Sequence, residues 1–475
     1  MLEKFFKLKE NKTNVKTEVI AGIATFMTMA YILAVNPNFI ASSNNGASPE
    51  LFNAVFLATA ISSAIGTLFM AFLANKPFAL APGMGLNTYF ASVVCSIMIT
   101  SKLSYDDAFQ GGLAIILVSG ILFTILTLVK IREKIVDAIP TSIRFGITAG
   151  IGLMLVKVGL GQAVYSADAP QGFSIIDFFN YGAKDTHAFM EAAGANYSLL
   201  MVYVITFFIG LFTIAILNHK KIKGSILYGM LVATIAYFIG GTFIGVDVFA
   251  SVKHASFLPQ FGDMMDKTLF KFNFDTLFDM GALAAVMTII TFCMVDMFDT
   301  IGTLLGTAGK AGMLDKDGKM ENMGQALLSD SLATCVGACT GTSTVTTFIE
   351  SASGIEEGGR TGLSSVVTGI LFLACIFLAP VAALIPAPAT AAALVFVGVL
   401  MIGSLKFIDY SDLSQSVPIV FMLAFMVLTS SIGNGIGIGL ITYSILKLCT
   451  GKHKEVSIIT IILSLLFIGK FFILY

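Results

Sequence analysis

NKPFALAPGMGLNTYF, Asn75 to Phe90, is an apolar stretch that makes a poor continuous helix. Pro82, Gly83 and Gly85 fall inside it; proline removes an amide donor and glycine lowers helix propensity. A membrane helix cannot leave backbone groups unpaired, so a break at this depth needs protein or a polar cavity around it. A second such stretch, GACTGTSTVTTFIESASG, runs from Gly337 to Gly354. Its Gly, Ser, Thr and β-branched residues favour a short extended piece followed by a short helix. Two interrupted spans in matching places of the two halves point to a transporter binding site. Their half-helices, expected to begin near Leu86 and near Val345, would aim positive N-terminal ends at the midplane. For the first stretch, the plain structural alternative is a kink packed against small residues.

The remainder of the chain is written for a bilayer. Of 475 residues 56% are hydrophobic and only 12% charged, about half the usual charged share. Twenty-eight Lys and Arg against 29 Asp and Glu give a net charge of -1, which offers no surface for nucleic acid. The six cysteines lie in or beside apolar stretches, and Cys335 and Cys339 have no neighbouring His, so no disulfide frame, metal site or cofactor is expected. The opening MLEKFFKLKENKTNVK is basic but polar and does not read as a cleaved signal peptide.

Spans of about 20 apolar residues, divided at polar breaks, number 14: roughly 18–40, 52–74, 78–100, 108–129, 141–162, 197–217, 224–249, 281–307, 325–339, 342–355, 362–380, 388–405, 417–431 and 434–449. The apolar stretch 456–475, with Lys470 near its end, reads as a fifteenth span or an interfacial helix. With the N-terminus inside, the inner segments hold 21 Lys and Arg, including Lys130/Arg132/Lys134 and Lys310/Lys316/Lys319. The outer loops hold five: Lys102, Lys184, Lys253, Lys267 and Lys271. Basic loops stay cytoplasmic, so the 1–16 tail is expected in the cytoplasm. The long loops 163–196, which carries Asp168, and 250–280 then face outward. Ile139-Pro140 precedes Gly152, and Ile385-Pro386 precedes Gly398, with twelve residues from proline to glycine in each case. If this marks a repeat, seven spans per copy force the second to insert upside down. The expected fold is thus an all-α polytopic membrane protein with a 7+7 inverted repeat, 17–250 and 281–449, followed by an extra segment at 455–475.

Charges at membrane depth are expensive and mostly functional. Asp296 and Asp299 stand at i and i+3 in span eight, Glu350 in span ten, Asp330 near the start of span nine and Lys157 inside span five. Asp296 and Glu350 are candidates to bind substrate, and Asp299 to share that functional role or instead to orient Asp296, cap a half-helix or carry the proton. Asp330, beside Ser329, Ser331 and Thr334, equally suits a structural hydrogen-bonding role. Lys157 is expected to pair with an acid or to snorkel. All four histidines lie in loops, so any coupled proton needs a carboxylate; Na+ held by Asp and Thr oxygens is the alternative. Carboxylates accept hydrogen bonds and repel anions, which favours a small solute rich in N–H donors, such as a heterocyclic base. Asn87, Gly85, Thr342 and Ser343 complete the candidate site. Phe26, Phe90, Phe292 and Phe298 are stacking candidates among 41 phenylalanines, most of which must pack or face lipid. An anion carrier, a passive channel and a membrane enzyme are the rival classes, and no nucleophile-base pair supports the last.

APGMGLN (81–87), MVDMFDTIGT (294–303), GTSTVTTFIESASG (341–354) with GGRTG (358–362), and TEVIAGIATFMTMAYILAVNP (17–37) resemble the nucleobase:cation symporter-2 family. More narrowly, they resemble its adenine/guanine/hypoxanthine permease branch, called AzgA-like. The resemblance implies a core domain from spans 1–4 and 8–11, a gate domain from spans 5–7 and 12–14, and substrate held between short strands of spans three and ten. It implies elevator movement in the cell membrane, often in a homodimer, with a purine nucleobase and H+ as partners. Asp296, Glu350 and Asn87 match the family's base-binding positions, and Asp299 the second acid of span eight. Two departures stand out: Glu350-Ser351-Ala352-Ser353-Gly354 is one residue longer than the pyrimidine and xanthine pattern, and Thr88 replaces an expected alanine.

Overall fold

The computed structural model describes residues 2–41, 46–129, 140–164, 173–248, 257–310, 313 and 320–472. Lys130, Arg132, Lys134, Ile139, Asp168, Lys253, Lys316 and Lys319 lie outside them. A short α1 (Leu2–Phe6) precedes the first apolar segment, which is two helices, α2 (Val15–Met29) and α3 (Ile32–Ile40), parted at Ala30 and Tyr31. Asn14 caps α2 by accepting from Thr17 N. Helix α4 (Pro49–Phe69), capped by Ser48, continues into a π turn, Met70–Ala74, and stops at Asn75 in the left-handed region. Strand β1 (Leu80–Pro82) then leads into α5 (Met84–Ser101). Next come α6 (Tyr105–Leu128), α7 (Thr141–Gln162), α8 (Ile175–Ala192), α9 (Tyr197–His219), α10 (Ser225–Phe243), α11 (Phe261–Lys267), α12 (Asp275–Asp279) and α13 (Ala282–Lys310). The second half continues through α14 (Met323–Thr340), β2 (Val345–Thr347), α15 (Ser351–Glu356), α16 (Gly362–Ala374) and α17 (Ala379–Ala383). It ends with α18 (Ala387–Ile402), α19 (Leu413–Thr429), α20 (Ile432–Cys449) and α21 (Ile458–Phe472).

Among the described residues, ten helical segments are long and apolar enough to cross a membrane. Shorter apolar helices lie at Gly362–Phe377, Leu413–Thr429 and Ile458–Phe472. The molecule is therefore a mostly helical, polytopic membrane protein. Helix α21 has 15 residues, about 22 Å at 1.5 Å per residue against a hydrocarbon core of about 30 Å. It packs on α20, with Ser464 and Ser444 hydroxyls 2.9 Å apart and Lys470 Nζ donating to Asn434 Oδ1 at 3.3 Å.

Both long loops carry helices that hydropathy alone does not reveal. Ser174 and Asp177 form a reciprocal capping box at the start of α8. Helix α11 docks on α4, where Asn53 Nδ2 donates to Asp263 Oδ2 at 2.9 Å. Just beyond it, Thr268 Oγ1 donates to Thr340 O at 3.0 Å.

The two strands come from opposite halves of the chain and pair antiparallel, Leu80 with Thr347, Ala81 with Thr346 and Pro82 with Val345. Gly83 N donates to Thr344 O at 3.1 Å and Phe348 N to Ala79 O at 3.0 Å, extending the ladder at both ends. In antiparallel alternation Leu80, Pro82, Val345 and Thr347 then turn their backbone groups away from the partner strand. Proline fits there because it has no amide to leave unpaired. Thr67 Oγ1 closes the outer edge at Leu80, accepting from its N at 2.9 Å and lying 3.1 Å from its O. Asp330 Oδ1 closes the other edge by accepting from Thr347 N at 3.0 Å.

Helices α7 and α18 pack closely against each other. A Cβ built on Gly152 would lie 2.6 Å from Gly398 O, and one on Gly398 would lie 2.5 Å from Gly152 O. The nearest backbone nitrogens also correspond, Ile402 N at 3.0 Å for Gly152 and Val156 N at 3.1 Å for Gly398. Gly152 to Gly398 and Val156 to Ile402 are the same step along the chain, so the contact is reciprocal.

Candidate substrate site

The strand pair places two helix starts beside the break. Helix α5 begins at Met84 with Gly83 as its cap, close to the expected Leu86. The second half-helix does not begin near Val345. That residue opens β2, whose run of β-branched residues is extended, and α15 starts at Ser351.

Asp296 and Asp299 both lie on α13, but they meet different neighbours. Asp296 is 2% exposed and its Oδ2 accepts from Thr334 Oγ1 of α14 at 2.9 Å. Asp299 is half-buried, and its Oδ2 would be 3.9 Å from a Cβ on Gly83, at the start of α5. It also stands within electrostatic reach of Asp330 and Glu350. Glu350, half-buried before α15, accepts from Tyr31 Oη at 2.9 Å. The fully buried Asp330 accepts from Thr300 Oγ1 at 2.6 Å as well as from Thr347 N and, at 3.2 Å, Thr347 Oγ1.

A second cluster forms around Asn87 on the first turn of α5. Ser343 Oγ donates to Asn87 Oδ1, and Asn87 Nδ2 donates to Asn36 Oδ1 at 2.6 Å. Asn36 Nδ2 in turn donates to Thr59 Oγ1 at 2.7 Å and to Thr342 Oγ1 at 2.9 Å. All five residues are buried. The structure thus joins Asn87, Ser343 and Thr342 in one network, and sets Asp299 near Glu350 and Asp330. Thr334 Oγ1, which donates to Asp296, also lies 3.2 Å from Val345 O of β2.

Several of the candidates also have packing roles. A Cβ on Gly85 would lie 2.3 Å from Ile151 Cγ2, so this glycine permits the close approach of α5 to α7. Of the stacking candidates, Phe26 packs edge-on to Phe372, Phe90 edge-on to Phe109, and Phe292 lies 4.5 Å from the Tyr89 ring centroid. Phe298 is buried. Among the described residues Lys157 forms no ion pair; its Nζ donates to Val427 O at 2.5 Å and Ser430 Oγ at 2.9 Å, capping the C-terminus of α19.

Sequence reading passes over three residues that organise this region: Tyr31, Asn36 and Glu18. Glu18 is fully buried and accepts from Arg360 N at 2.9 Å, Ser364 N at 3.1 Å and Ser364 Oγ, which ties α2 to the start of α16. The available signal was local: AYILAVNP carries a tyrosine, an asparagine and a proline inside an apolar span. Among the described residues, no group of three His, Cys, Asp or Glu could hold a metal ion. What the site offers is carboxylates, a carboxamide and hydroxyls, suited to holding a small polar solute through hydrogen bonds.

A family model described as "Permease family" matches residues 16–438. Adenine permease AdeP of Escherichia coli is 38% identical over 471 residues, covering 99% of this chain and 96% of that protein. Guanine/hypoxanthine permease PbuO of Bacillus subtilis is 37% identical over 472 residues, covering 99% and 100%. Among solved structures, the transmembrane domain of a cyanobacterium bicarbonate transporter, BicA, shares the fold with a TM-score of 0.65 at 17% identity, covering 90% of this chain and 97% of that one. The chain is therefore a multi-pass membrane permease, a transporter and not an enzyme. It belongs to the permease family so matched, the nucleobase:cation symporter-2 family, with the adenine and guanine/hypoxanthine permeases as full-length relatives.

Proposed function

We propose that the protein takes up purine nucleobases, guanine and hypoxanthine before adenine, by proton symport across the cell membrane. The observation that carries this reading is the break where β1 meets β2, which gathers Asn87, Ser343, Asp299 and Glu350 from both halves. Ring N–H groups suit the carboxylates, and ring nitrogens or a carbonyl suit Asn87 and the hydroxyls. Full-length likeness to permeases named for adenine and for guanine/hypoxanthine favours the same substrate class. Asp296, Glu350 and Asn87 bind the base with Gly85, Thr342 and Ser343 around it; Asp299 or Glu350 carries the proton. Asp330 is structural.

The architecture we infer has 14 spans in two inverted copies, with a cytoplasmic N-terminus. The ten long apolar segments, the helices Met323–Thr340, Gly362–Phe377 and Leu413–Thr429, and the interrupted tenth segment fit that number. Reciprocal contact of Gly152 with Gly398, the glycines twelve residues beyond Pro140 and Pro386, favours the inverted repeat. Elevator movement of a core (spans 1–4 and 8–11) against a gate (spans 5–7 and 12–14), in a homodimer, completes the proposal.

The test is uptake of labelled hypoxanthine in cells lacking their own purine carriers, with and without a proton ionophore, against unlabelled guanine, adenine, xanthine and uracil. Accumulation that guanine blocks and the ionophore abolishes is expected. Ionophore-insensitive entry would replace proton symport with Na+ coupling or a passive channel, and competition by xanthine or uracil alone would overturn the purine assignment. Asp296→Ala should abolish binding while the protein still reaches the membrane. Asp299→Asn should reduce pH-dependent accumulation more than exchange.

A further inference from the structure

We propose that Asn36 is a positioning residue that decides which end of the Asn87 carboxamide, donor or acceptor, is presented to substrate. This rests on the assignment of Asn87 to the purine site. The direction of each bond follows from an atom at the end of the network that can only accept, a backbone carbonyl. Thr59 Oγ1 lies 2.6 Å from Val55 O. A carbonyl has no hydrogen to give, so the Thr59 hydroxyl must donate there and meets Asn36 as an acceptor. That requires Asn36 to turn its Nδ2 toward Thr59 at 2.7 Å, with Thr342 Oγ1 receiving the second hydrogen at 2.9 Å.

Both Asn36 hydrogens are then committed, and its Oδ1 faces Asn87. A flipped Asn87 would set two carbonyl oxygens 2.6 Å apart, so Asn87 must donate through Nδ2 and leave Oδ1 to accept from Ser343. One hydrogen and one lone pair of Asn87 stay uncommitted, save for a 3.8 Å contact of Nδ2 with Met84 Sδ. The amide orientation, ordinarily assigned from its surroundings, is here forced from a backbone atom three side chains away. Purines that differ by an oxo or an amino group at one ring position differ in hydrogen-bond direction there. A fixed amide discriminates between them, whereas one free to flip serves both.

The experiment measures dissociation constants of hypoxanthine and adenine for the purified full-length protein and four variants. In Asn36→Ala, Asn87 can flip, and the ratio of the two constants should move toward unity by about tenfold. Thr59→Val removes the acceptor that orients Asn36 while Thr342 can donate to a flipped amide; the ratio should move the same way, and this variant carries the test if Asn36→Ala fails to reach the membrane. Asn36→Asp keeps an acceptor toward Asn87 and should preserve the ratio even where binding weakens. A merely structural role would lower both affinities in parallel in all three. Parallel losses, or a collapsed ratio in Asn36→Asp with a preserved one in Asn36→Ala, overturn the proposal while the purine site stands. Asn87→Ala separates the two levels: unchanged affinities there would remove Asn87 from the site and take this inference with it.

Discussion

The contact between Gly152 and Gly398 sets a measurable limit on side-chain size. An alanine Cβ at 152 would stand 2.6 Å from a backbone oxygen of the facing helix, and ordinary contact begins at 3.4 Å. The shortfall of about 0.8 Å cannot be relieved by a rotamer, because both groups are fixed to helices in a close-packed interior. Overpacking of this kind costs about 1–3 kcal/mol, partly offset by the roughly 1 kcal/mol that alanine gains over glycine within a helix. Gly161→Ala is the control: it lies in the same helix, with nothing within 4 Å of the added carbon, and keeps only the favourable part. We expect Gly152→Ala to lower the thermal midpoint of the detergent-solubilised protein and Gly161→Ala to leave it level or raise it. Because the contact is reciprocal, Gly398→Ala should cost the same as Gly152→Ala. The double variant should cost less than the sum, since helices already parted do not clash twice. A Gly152→Ala midpoint at or above that of the unaltered protein, or strict additivity of the pair, would refute this account of the interface.

Three further outcomes follow from single bonds. Lys157→Met removes the charged cap from Val427 O and Ser430, and should cost about 1–3 kcal/mol of stability without altering purine dissociation constants measured alongside. Tyr31→Phe deletes the hydroxyl that donates to Glu350 at 2.9 Å; bonds to charged groups are worth about 1.5–3 kcal/mol, so purine affinity should fall by about tenfold at unchanged surface expression. The Lys452 ammonium, 2.7 Å from Asp412, and the Ser414 bonds hold the Asp412 carboxyl below its ordinary value. A depressed folded value means that its contribution is complete above the ordinary carboxylate range and is lost only as pH falls below it. Asp412→Asn should therefore lower the thermal midpoint at pH 7, with the difference shrinking in strong acid.

Features carried by covalent geometry were legible in the sequence. Pro82 and Gly83 mark the first interruption because they alter the backbone itself, and the i, i+3 spacing of Asp296 and Asp299 places both on one helix whatever surrounds it. Val345 was harder to place because Thr344, Val345, Thr346 and Thr347 favour extension without saying where extension ends; pairing with β1 settles the boundary. Lys157 was expected to pair with an acid or to snorkel, and its partners are a carbonyl and a serine at a helix end; every residue carries a carbonyl, so neither is announced by the sequence. Asn36 and Tyr31 were hidden for a related reason. Their partners Thr342 and Glu350 lie 306 and 319 residues away, and no local pattern announces such a meeting.

The same distance explains why the site cannot be a property of either half. At membrane depth an unpaired strand leaves amides and carbonyls without water, and three residues are too few to be stable alone. β1 and β2 supply each other's inner edge, while Thr67 and Asp330 supply the outer ones from helices α4 and α14. Pro82 occupies one outward position where an amide would otherwise need a partner. The ladder is therefore complete only where four segments meet, and Asn87 and Glu350, placed just beyond its ends, take their relative position from the same arrangement. That dependence ties the stability of the break to the geometry of the site: a residue that closes the ladder, such as Asp330, can influence binding without touching a substrate.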